Sequence, residues 1–340
     1  MVSIVTVYYN RENYVVDSIE SLLKQTYSDI EVIAIDDGST DGTLVRLRSI
    51  QDPRLRVITH SNRGFVQSIR SAIMQTSSEI VAIHGSGDIS SETRIERQLE
   101  LLQSHPDIGV VGCYVENYFE NTGTSFINKP VIDESISLTK QIIKENPFTH
   151  GEVMFRKKVY EQAGGYREFF KFCQDYDLWL RMSMLTSFAI VPEVLYRRYF
   201  LSDGVSASLD KMLMQKYFDE MGIQCIELRM RNEPDFIDRY GIYGAFYRAR
   251  TRRLSKIIGR HAMTALYRGK TSEALYFNRK SMEEKLGLSN ACLHLFLFLL
   301  NRSKLLQRMT AKGLSIVKAR RSGAGKPLAS EQQEGTLEHM

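Results

Sequence analysis

The first hundred residues alternate between strand-like and helix-like segments, and this alternation limits the fold more than any other feature of the chain. Short runs of β-branched and apolar residues predict four strands, at Val2–Tyr8, Glu31–Ile35, Leu55–Thr59 and Ile80–Ile83. Apolar residues spaced every three or four positions predict four helices, at Tyr14–Lys24, Thr43–Ile50, Phe65–Met74 and Glu92–Leu102. Such alternation predicts parallel strands joined by crossover helices.

Polar residues directly follow three of the predicted strands. They are Tyr9-Asn10, Asp36-Asp37 and Ser86–Asp88. Parallel sheets bind ligands in the crevice beyond the carboxyl ends of their strands. We therefore expect these three polar clusters to face one crevice, an expectation that rests on topology alone.

The predicted secondary structure of the remaining chain changes at two points. The second hundred residues are mixed, with strands predicted at Val110–Phe119 and Val153–Arg156 and a helix at Asp175–Met184. Beyond Asp210 the pattern is mostly helical and increasingly basic. We predict three regions: a mixed α/β domain at 1–210, a helical basic extension at 211–321 and a disordered polar tail at 322–340.

The formal net charge of +5, from 45 Lys+Arg against 40 Asp+Glu, hides a strong asymmetry. Residues 241–326 carry 19 Lys+Arg and 3 Asp+Glu, a net of +16, and the remainder carries 26 basic and 37 acidic residues, a net of −11. A basic region of this kind favours an anionic partner such as a membrane surface. With 43% hydrophobic and 25% charged residues, wholesale disorder and a disulfide scaffold are both excluded.

Cysteine usage and apolar run length bear on the compartment. The four cysteines form neither a metal-type pair nor a redox CxxC motif, which is typical of a reducing cytosol. The longest apolar run, Ala291–Leu300, is shorter than the roughly 20 residues that span a bilayer. The chain opens on a strand without the features of a secretory signal. We expect a cytoplasmic protein that is peripheral on the inner face of the membrane.

A set of short motifs occurs in a fixed order over roughly the first 200 residues. They are Val2–Asn10, Ser18–Tyr27, Ile35–Thr43, Asn62–Gly64, Arg94–Leu99, His105–Gly112, Asn146–Arg156, Gly164–Arg167 and Gln174–Arg181. Together they resemble the family 2 glycosyltransferases, which are inverting enzymes with the GT-A fold. The resemblance implies an α/β, Rossmann-like mixed sheet flanked by helices, and it does not cover the helical basic C-terminal extension.

The resemblance assigns the crevice residues to a nucleotide-sugar donor. Asp37 stands where the family has a carboxylate that accepts a hydrogen bond from the base, which suits the imide N–H of uracil or thymine. Tyr9 would line the same pocket, and Asp36 and Asp88 would add nucleotide contacts. The alternative is that Asp36 and Asp37 only shape the turn and cap the helix that begins at Thr43.

Asp175 stands at the family's position for the catalytic base. An inverting transfer is a single displacement at the anomeric carbon, so the acceptor hydroxyl must lose its proton as it attacks. The motif here reads Gln174-Asp175-Tyr176-Asp177, with Gln where the family has an acidic residue. A helix cap or an ion pair is the alternative role for Asp175. The resemblance places His150 and Asp177 on the acceptor side, with structural pairing and helix capping as their alternatives.

The metal motif of the family is degenerate in this chain. The family has Asp-x-Asp-Asp, whereas the sequence reads His84-Gly85-Ser86-Gly87-Asp88, and glycine offers no side-chain ligand to Mg²⁺ or Mn²⁺. A His that the family carries after the acceptor region is replaced by Leu201. We therefore expect no tightly bound metal and a metal-independent transfer, and a weak Mg²⁺ or Mn²⁺ held through Asp88 stays an open alternative.

Without a metal, the leaving diphosphate needs other groups to stabilise its developing charge. We expect Arg197 and Arg198, in a loop, to supply bidentate guanidinium contacts to the phosphates. His84 and the backbone N–H groups around Gly85 and Gly87 would assist them.

The basic extension carries two segments that suit a lipid surface. Arg248–Arg260 contains six basic residues with Leu254, Ile257 and Ile258 interleaved, and Leu293–Leu300 is followed by a second basic run. An apolar anchor beside a basic cluster indicates an interfacial helix on anionic lipid. The alternative is a solvated basic face that packs on the body or on another subunit of an oligomer. A nucleic-acid partner is not expected, because no aromatic residues are interleaved as a stacking platform.

These expectations combine into one function. We expect an inverting, hexosyltransferase-type enzyme of polysaccharide biosynthesis for the cell envelope. It would move a sugar from a UDP- or dTDP-linked donor to a hydroxyl of a glycan or lipid-linked acceptor, with Asp175 as the general base. The alternative is a catalytically silent GT-A module that binds a nucleotide or a partner protein.

Overall fold

The computed structural model describes residues 1–200, 209–303, 305–306 and 309–310. The chain divides into two compact units, Met1–Gly204 and Val205–Met340. The tail predicted at 322–340 lies outside the described residues, as do Leu201 and the larger part of the second basic run.

One mixed sheet forms the centre of the N-terminal unit. Its strands are β1 (Val2–Tyr8), β2 (Ile30–Asp36), β3 (Leu55–Thr59), β4 (Ile80–His84), β5 (Ile89–Ser90), β6 (Ile108–Phe119), β7 (Thr124–Asn128), β8 (Met154–Arg156) and β9 (Ser187–Phe200). Their order is β3-β2-β1-β4-β8-β6-β9-β5, and β7 pairs with β6. Strands β1 to β4 are parallel, which confirms the predicted crossover topology, and β8 is antiparallel to both of its neighbours.

Helices flank this sheet and bury one apolar side each. They are α1 (Val15–Leu23), α2 (Thr43–Ser49), α3 (Phe65–Met74), α4 (Arg94–Ser104), α5 (Leu138–Lys144), α6 (Lys157–Gln162) and α7 (Gln174–Met182). In α1, for example, Val15, Ile19 and Leu22 are fully buried at helical spacing and join the main core cluster. The short helices α5 and α6 were not expected, because seven and six residues carry too few apolar repeats to show a period.

Strand β9 is the element that the sequence pattern conceals. It runs parallel to β6, and the register jumps from Cys113↔Val191 to Tyr114↔Val194, around Pro192. A proline has no N–H for the ladder and is tolerated at such a bulge, where the alternation of buried and exposed residues is also interrupted. The prediction that Arg197 and Arg198 lie in a loop is therefore wrong, because both belong to this strand.

The C-terminal unit is helical, as expected. It contains α8 (Leu209–Arg229), α9 (Phe236–Tyr240), a 3-10 helix (Gly241–Tyr247), α10 (Arg252–Tyr267), α11 (Thr271–Glu284) and α12 (Leu288–Arg302). Helices α10 and α11 follow each other through a short turn in which Gly269 has a φ of +80°, a conformation that glycine adopts without strain.

Two of the three apolar residues that were expected to face lipid in Arg248–Arg260 are buried instead. Leu254 and Ile258 are at most 1% exposed, because they form part of the core of the C-terminal unit. The Arg248 guanidinium donates to both carboxylate oxygens of Glu284, at 2.9 and 2.7 Å. Arg248–Arg260 therefore contributes to the core and to an ion pair of the C-terminal unit.

Helix α12 retains an exposed apolar side. Leu295 is 61% exposed and Leu299 47% exposed, whereas Leu297 and Leu300 are buried in the unit. Over the ranges that the structure describes, no helix is both long and apolar enough to cross a membrane.

Candidate active site

The loops after β1, β2 and β4 meet at one edge of the sheet, because β1 lies between β2 and β4 and all three run parallel. Asn10 joins the first two loops. Its N–H donates to Ser39 Oγ at 3.0 Å, and its Oδ1 accepts from the Thr40 N–H at 2.9 Å. Asn10 has a φ of +52°, which asparagine tolerates better than most residues. The predicted polar clusters therefore share one edge.

Asp37 is buried at the end of β2, and its carboxylate is oriented by the neighbouring loop. Oδ1 accepts from the Arg63 N–H at 3.1 Å and from Ser68 Oγ at 2.8 Å, and the His60 ring lies 3.4 Å away. Oδ2 accepts from the Gly64 N–H at 3.1 Å. A carboxylate oxygen can accept two hydrogen bonds, so Oδ2 has one acceptor position left beside the Gly64 N–H, although Asp37 as a whole is 3% exposed.

Tyr9 is the exposed aromatic residue at the same edge. It follows β1 directly and 47% of it is exposed, beside the strand end that carries Asp37. An open aromatic face can stack on a planar base. The placement of both residues suits the nucleotide pocket predicted for them.

Asp36 has a different task. Its Oδ1 accepts from the Ser39 N–H at 3.2 Å and its Oδ2 from Thr59 Oγ1 at 2.8 Å, so the carboxylate closes the turn and ties β2 to β3. It is 1% exposed. The predicted nucleotide contact of Asp36 does not agree with this structural use of both carboxylate oxygens. The start of α2 is held instead by Asp41, which accepts from the Thr43 N–H at 3.0 Å.

Asp88 is attached to strand β9 through both carboxylate oxygens. The Tyr196 hydroxyl donates to Oδ2 at 2.7 Å, and the Tyr199 N–H donates to Oδ1 at 3.0 Å. Burial raises the pKa of Asp88, and these hydrogen bonds together with the positive charge of Arg198 oppose the shift. The Tyr196 hydroxyl also accepts from the Gly85 N–H at 2.8 Å, so it closes the turn of the degenerate motif.

The residues around Asp88 do not fit a tightly held divalent cation. A Cβ placed on Gly85 would lie 2.2 Å from Asp88 Oδ2, and one placed on Gly151 would lie 2.1 Å from the Tyr196 hydroxyl. A carboxylate side chain at position 85 would therefore collide with Asp88 itself. Within the described residues, no three His, Cys, Asp or Glu side chains come together as a metal site.

His84 lies beneath the crevice and not in it. It is 2% exposed, and its Nε2 lies 3.0 Å from both Ser18 Oγ and the Asp88 carbonyl oxygen. Burial, with the positive charge of Arg94, holds its pKa well below the usual range, so the ring is neutral. The N–H groups of Gly85 and Gly87 are also occupied, the latter by Ser18 Oγ at 3.3 Å. The predicted contribution of these groups to diphosphate binding does not agree with this arrangement.

The two neighbouring arginines of β9 point to opposite faces, as successive strand residues must. Arg197 is exposed, and its Nε donates to Glu116 on β6 at 2.7 Å. Arg198 is half-buried, and its positive charge lowers the pKa of Asp88, Asp175 and His150. Arg198 therefore faces the site, whereas the predicted role of Arg197 at the diphosphate does not agree with its pairing on the other face.

His150 is held in an unusual backbone conformation beside the site. Its φ is +83°, which is rare for a residue other than glycine and marks a conformation that the surrounding structure enforces. Its Nε2 lies 2.7 Å from the Tyr166 hydroxyl, and its ring contacts Phe65 edge-on at 5.6 Å. Burial lowers the pKa of His150 to about 3, so the imidazole is neutral and serves as a hydrogen-bonding group only.

Asp175 lies in the first turn of α7, where its carboxylate accepts from its own N–H and from that of Tyr176. Burial raises its pKa to about 6, and these hydrogen bonds and Arg198 limit the shift. Its negative charge contributes to the raised pKa of Tyr166, the partner of His150. A carboxylate with such a pKa is ionised at neutral pH and is a stronger proton acceptor than an ordinary aspartate.

Asp177 is a structural residue. It is 1% exposed and its carboxylate is shared by Arg167 and Arg181, with Nη2 of Arg181 at 2.7 Å from Oδ2. These two guanidinium groups hold its pKa below the ordinary value in spite of burial. The predicted acceptor-side role of Asp177 does not agree with this pairing, which leaves no carboxylate edge for an acceptor.

Tyr196 and Tyr166, which position Asp88 and His150, could not be found from the sequence. Their partners are 108 and 16 residues away along the chain, so no local spacing connects them. The Gly164–Arg167 motif contained Tyr166 without assigning it a role.

Comparisons with known proteins find glycosyltransferases of similar sequence and fold. The profile described as glycosyl transferase family 2 matches residues 3–164. An uncharacterized glycosyltransferase of Haemophilus influenzae is 28% identical over 256 residues, covering 71% of this chain and 76% of the relative. The amylovoran biosynthesis glycosyltransferase AmsE of Erwinia amylovora is 28% identical over 212 residues, covering 61% and 79%. The crystal structure of S. aureus TarS in complex with UDP-GlcNAc is 14% identical, with a TM-score of 0.54 over 88% of this chain and 91% of that one.

Proposed function

The N-terminal unit belongs to glycosyl transferase family 2 and has the GT-A fold, and on this premise we propose that the chain is an inverting glycosyltransferase with a nucleotide-diphosphate sugar as its donor. The observation that carries the proposal is Asp175, a single carboxylate at a helix start with a pKa of about 6 and no cationic partner in direct contact among the described residues. In the order of the motifs, Asp175 stands at the position of the family's catalytic base.

The donor base would bind between Tyr9 and Asp37. The open Oδ2 position of Asp37 suits an imide N–H, which uracil and thymine have, and the exposed Tyr9 ring offers a stacking face. The related TarS structure contains UDP-GlcNAc. We therefore favour a UDP- or dTDP-linked donor with a hexose-type sugar.

Asp175 would act as the general base. As the acceptor oxygen forms its bond to the anomeric carbon, the bond to the donor's diphosphate breaks, and the hydroxyl proton passes to the Asp175 carboxylate. A single displacement of this kind inverts the anomeric configuration. The neutral His150, held by Tyr166, would hydrogen-bond the acceptor without competing for the proton.

Arg198 would stabilise the leaving diphosphate. It faces Asp88 and Asp175 and carries a permanent charge, and a guanidinium suits phosphate oxygens. We propose that transfer proceeds without a tightly bound metal, because glycines stand at positions 85 and 87 of the motif and a side chain at position 85 would collide with Asp88. The chemistry that a divalent ion supplies in such sites is neutralisation of the phosphates.

The acceptor would be a glycan or lipid-linked hydroxyl at the inner face of the membrane. Polysaccharide biosynthesis is the assignment of the relative AmsE. The basic C-terminal region, with a net charge of +16 over residues 241–326, would hold the enzyme at anionic lipid, where such acceptors are located.

A thermal-shift experiment tests the donor assignment. UDP or dTDP at saturating concentration is expected to raise the melting temperature of the whole chain, because a ligand that binds only the native state stabilises it. Tyr9→Ala is expected to reduce this rise without changing the melting temperature of the unliganded protein, since Tyr9 is largely exposed. No rise with any nucleoside diphosphate would contradict the proposed donor, and binding without turnover by any donor would indicate a silent module.

A further inference from the structure

The 3-10 helix Gly241–Tyr247 exposes a row of large apolar side chains. Ile242 is 71% exposed, Tyr243 65% and Phe246 85%, and Tyr247 beside them is 49% exposed. This aromatic segment, Gly241–Tyr247, carries no motif of the N-terminal unit. Exposed apolar residues in a contiguous group mark an interaction surface more often than scattered ones do.

The aromatic segment is held on a fixed base. Gly244 is buried against α9, where a Cβ would lie 2.7 Å from the Phe236 carbonyl oxygen. The rings of Tyr240 and Tyr247 stack at 4.1 Å with an angle of 6°. Its exposed side chains are therefore presented by packed structure and not by a loose loop.

The start of α9 is anchored in turn. The buried Asp235 accepts from the N–H groups of Ile237 and Asp238 at 2.8 and 3.0 Å, and from Arg229 Nε of α8 at 2.7 Å. The anchor fixes the helix on which the aromatic segment rests. A rigid presentation lowers the ordering cost of binding a partner.

The chain that follows the aromatic segment is rich in cations, whereas the acidic Asp235 and Asp238 before it are paired with Arg229. Residues 239–272 contain nine Lys+Arg and no Asp or Glu. Arg248 and Arg253 are used inside the unit, where they pair with Glu284 and Glu220. Four further cations are exposed and form no ion pair within the ranges that the structure describes: Arg250, Arg252, Lys256 and Arg260.

We propose that the aromatic segment is the part of this chain that enters an anionic lipid surface, with the cations that follow it on the lipid headgroups. Tyr rings favour the headgroup level and Phe and Ile the acyl boundary, while each nearby cation adds electrostatic attraction to anionic lipid. A second copy of the chain is disfavoured as occupant, because it would bring the same positive charge to the contact.

This inference deepens the membrane part of the proposed function and is independent of sugar transfer. Its first test is the variant Phe246→Trp in the full chain. The native Trp179 is fully buried, so its emission is insensitive to the surface. With vesicles of equal parts phosphatidylcholine and phosphatidylglycerol, the added Trp is expected to shift to the blue. Val45→Trp, at a position 73% exposed in the N-terminal unit, is the control and is expected to stay unshifted.

The second test is vesicle co-sedimentation of Tyr243→Ser with Phe246→Ser. Loss of two inserted aromatic rings is expected to weaken partitioning by at least about tenfold. Leu295→Ser with Leu299→Ser, on the exposed side of α12, is the matched comparison and is expected to weaken it less. Raised salt or phosphatidylcholine alone is expected to release the wild-type chain.

Several results would overturn the inference. If wild type binds but the Tyr243/Phe246 variant binds equally well, the aromatic segment is not the contact, although the membrane proposal survives. If wild type binds no vesicle, both fail, while transfer to a soluble acceptor analogue still tests the enzyme. A blue shift of the Phe246→Trp variant with an RNA or a protein, and not with vesicles, would assign the aromatic segment to that partner.

Discussion

The raised pKa of Asp175 predicts how activity depends on pH. With a pKa of about 6, about nine tenths of the carboxylate is ionised at pH 7 and about one tenth at pH 5. Only the ionised form accepts the acceptor's proton, so kcat/KM is expected to fall tenfold per pH unit below pH 6. An ordinary aspartate would keep its activity to about pH 4.

Asp175→Asn separates chemistry from stability. Loss of the general base is expected to reduce kcat by about 10²–10⁴. The folded-state pKa lies above the unfolded value of 3.8, so the folded state binds more protons between pH 3.8 and 6, and stability falls as pH rises through that window. The ionised carboxylate therefore costs stability at pH 7, by roughly 3 kcal/mol at most for this shift. The neutral amide is expected to raise the melting temperature by several degrees.

Asp177→Asn is the matched control, two residues along the same helix. It removes a carboxylate buried between Arg167 and Arg181, which leaves two guanidinium groups without their anion. Breaking a buried pair of this kind costs about 3–5 kcal/mol, so a lowered melting temperature is expected. Both variants are compared by initial rates of nucleotide release with acceptor and by thermal melts at pH 7.

Two outcomes would refute this reasoning. A pH profile that stays flat from pH 7 to 5 would show that no group with a pKa near 6 limits the reaction. An Asp175→Asn variant that keeps wild-type turnover would remove Asp175 from the mechanism, whatever its effect on stability.

Two other predictions concern the diphosphate. Arg198→Ala is expected to lower kcat/KM by about 10²–10³ and to move the acid limb of the pH profile to higher pH, because Arg198 lowers the pKa of Asp175. Arg197→Ala breaks an exposed pair with Glu116 and is expected to change kcat/KM by no more than a few-fold and to leave the pH profile in place. Equal effects of the two variants would contradict the assignment. Transfer is expected to persist in excess chelator, and loss of activity that Mn²⁺ restores would show that a metal takes part after all.

The fold of the first hundred residues could be predicted because its signals are local. Each strand there is a short apolar run and each helix carries a period of its own, so bounds such as Phe65–Met74 agree with the structure. Strand β9 could not be predicted, since the bulge at Pro192 interrupts its alternation and its pairing depends on β6, some eighty residues earlier.

The candidate site was predictable where a role depends on position and not where it depends on distant partners. The ends of β1 and β2 placed Tyr9 and Asp37 at one edge. The motif order separated Asp175 from Asp177, but the pairing of Asp177 with two arginines could not be predicted, because only the fold brings them together. Arg197 and Arg198 were likewise indistinguishable until a strand separated their faces.

The glycines of the degenerate metal motif are sterically coupled to neighbouring side chains. The Tyr196 hydroxyl lies where a Cβ on Gly151 would have to be, and Asp88 Oδ2 lies where a Cβ on Gly85 would have to be, so the two glycines and the tyrosine require each other. A single change from Gly85 to an acidic residue would meet Asp88 before it could meet a metal.

The positive charges of Arg94 and Arg198 near Asp88 also disfavour a divalent cation. The fully buried Arg94 donates to the carbonyl oxygens of Gly151 and Ile83 and lies 5.2 Å from the centre of the Tyr196 ring. With Arg198 it gives two permanent cations that lower the pKa of Asp88. A third and divalent cation would be repelled there, whereas the two negative charges of a diphosphate would be attracted. The two arginines are therefore expected to favour a diphosphate over a divalent cation beside Asp88.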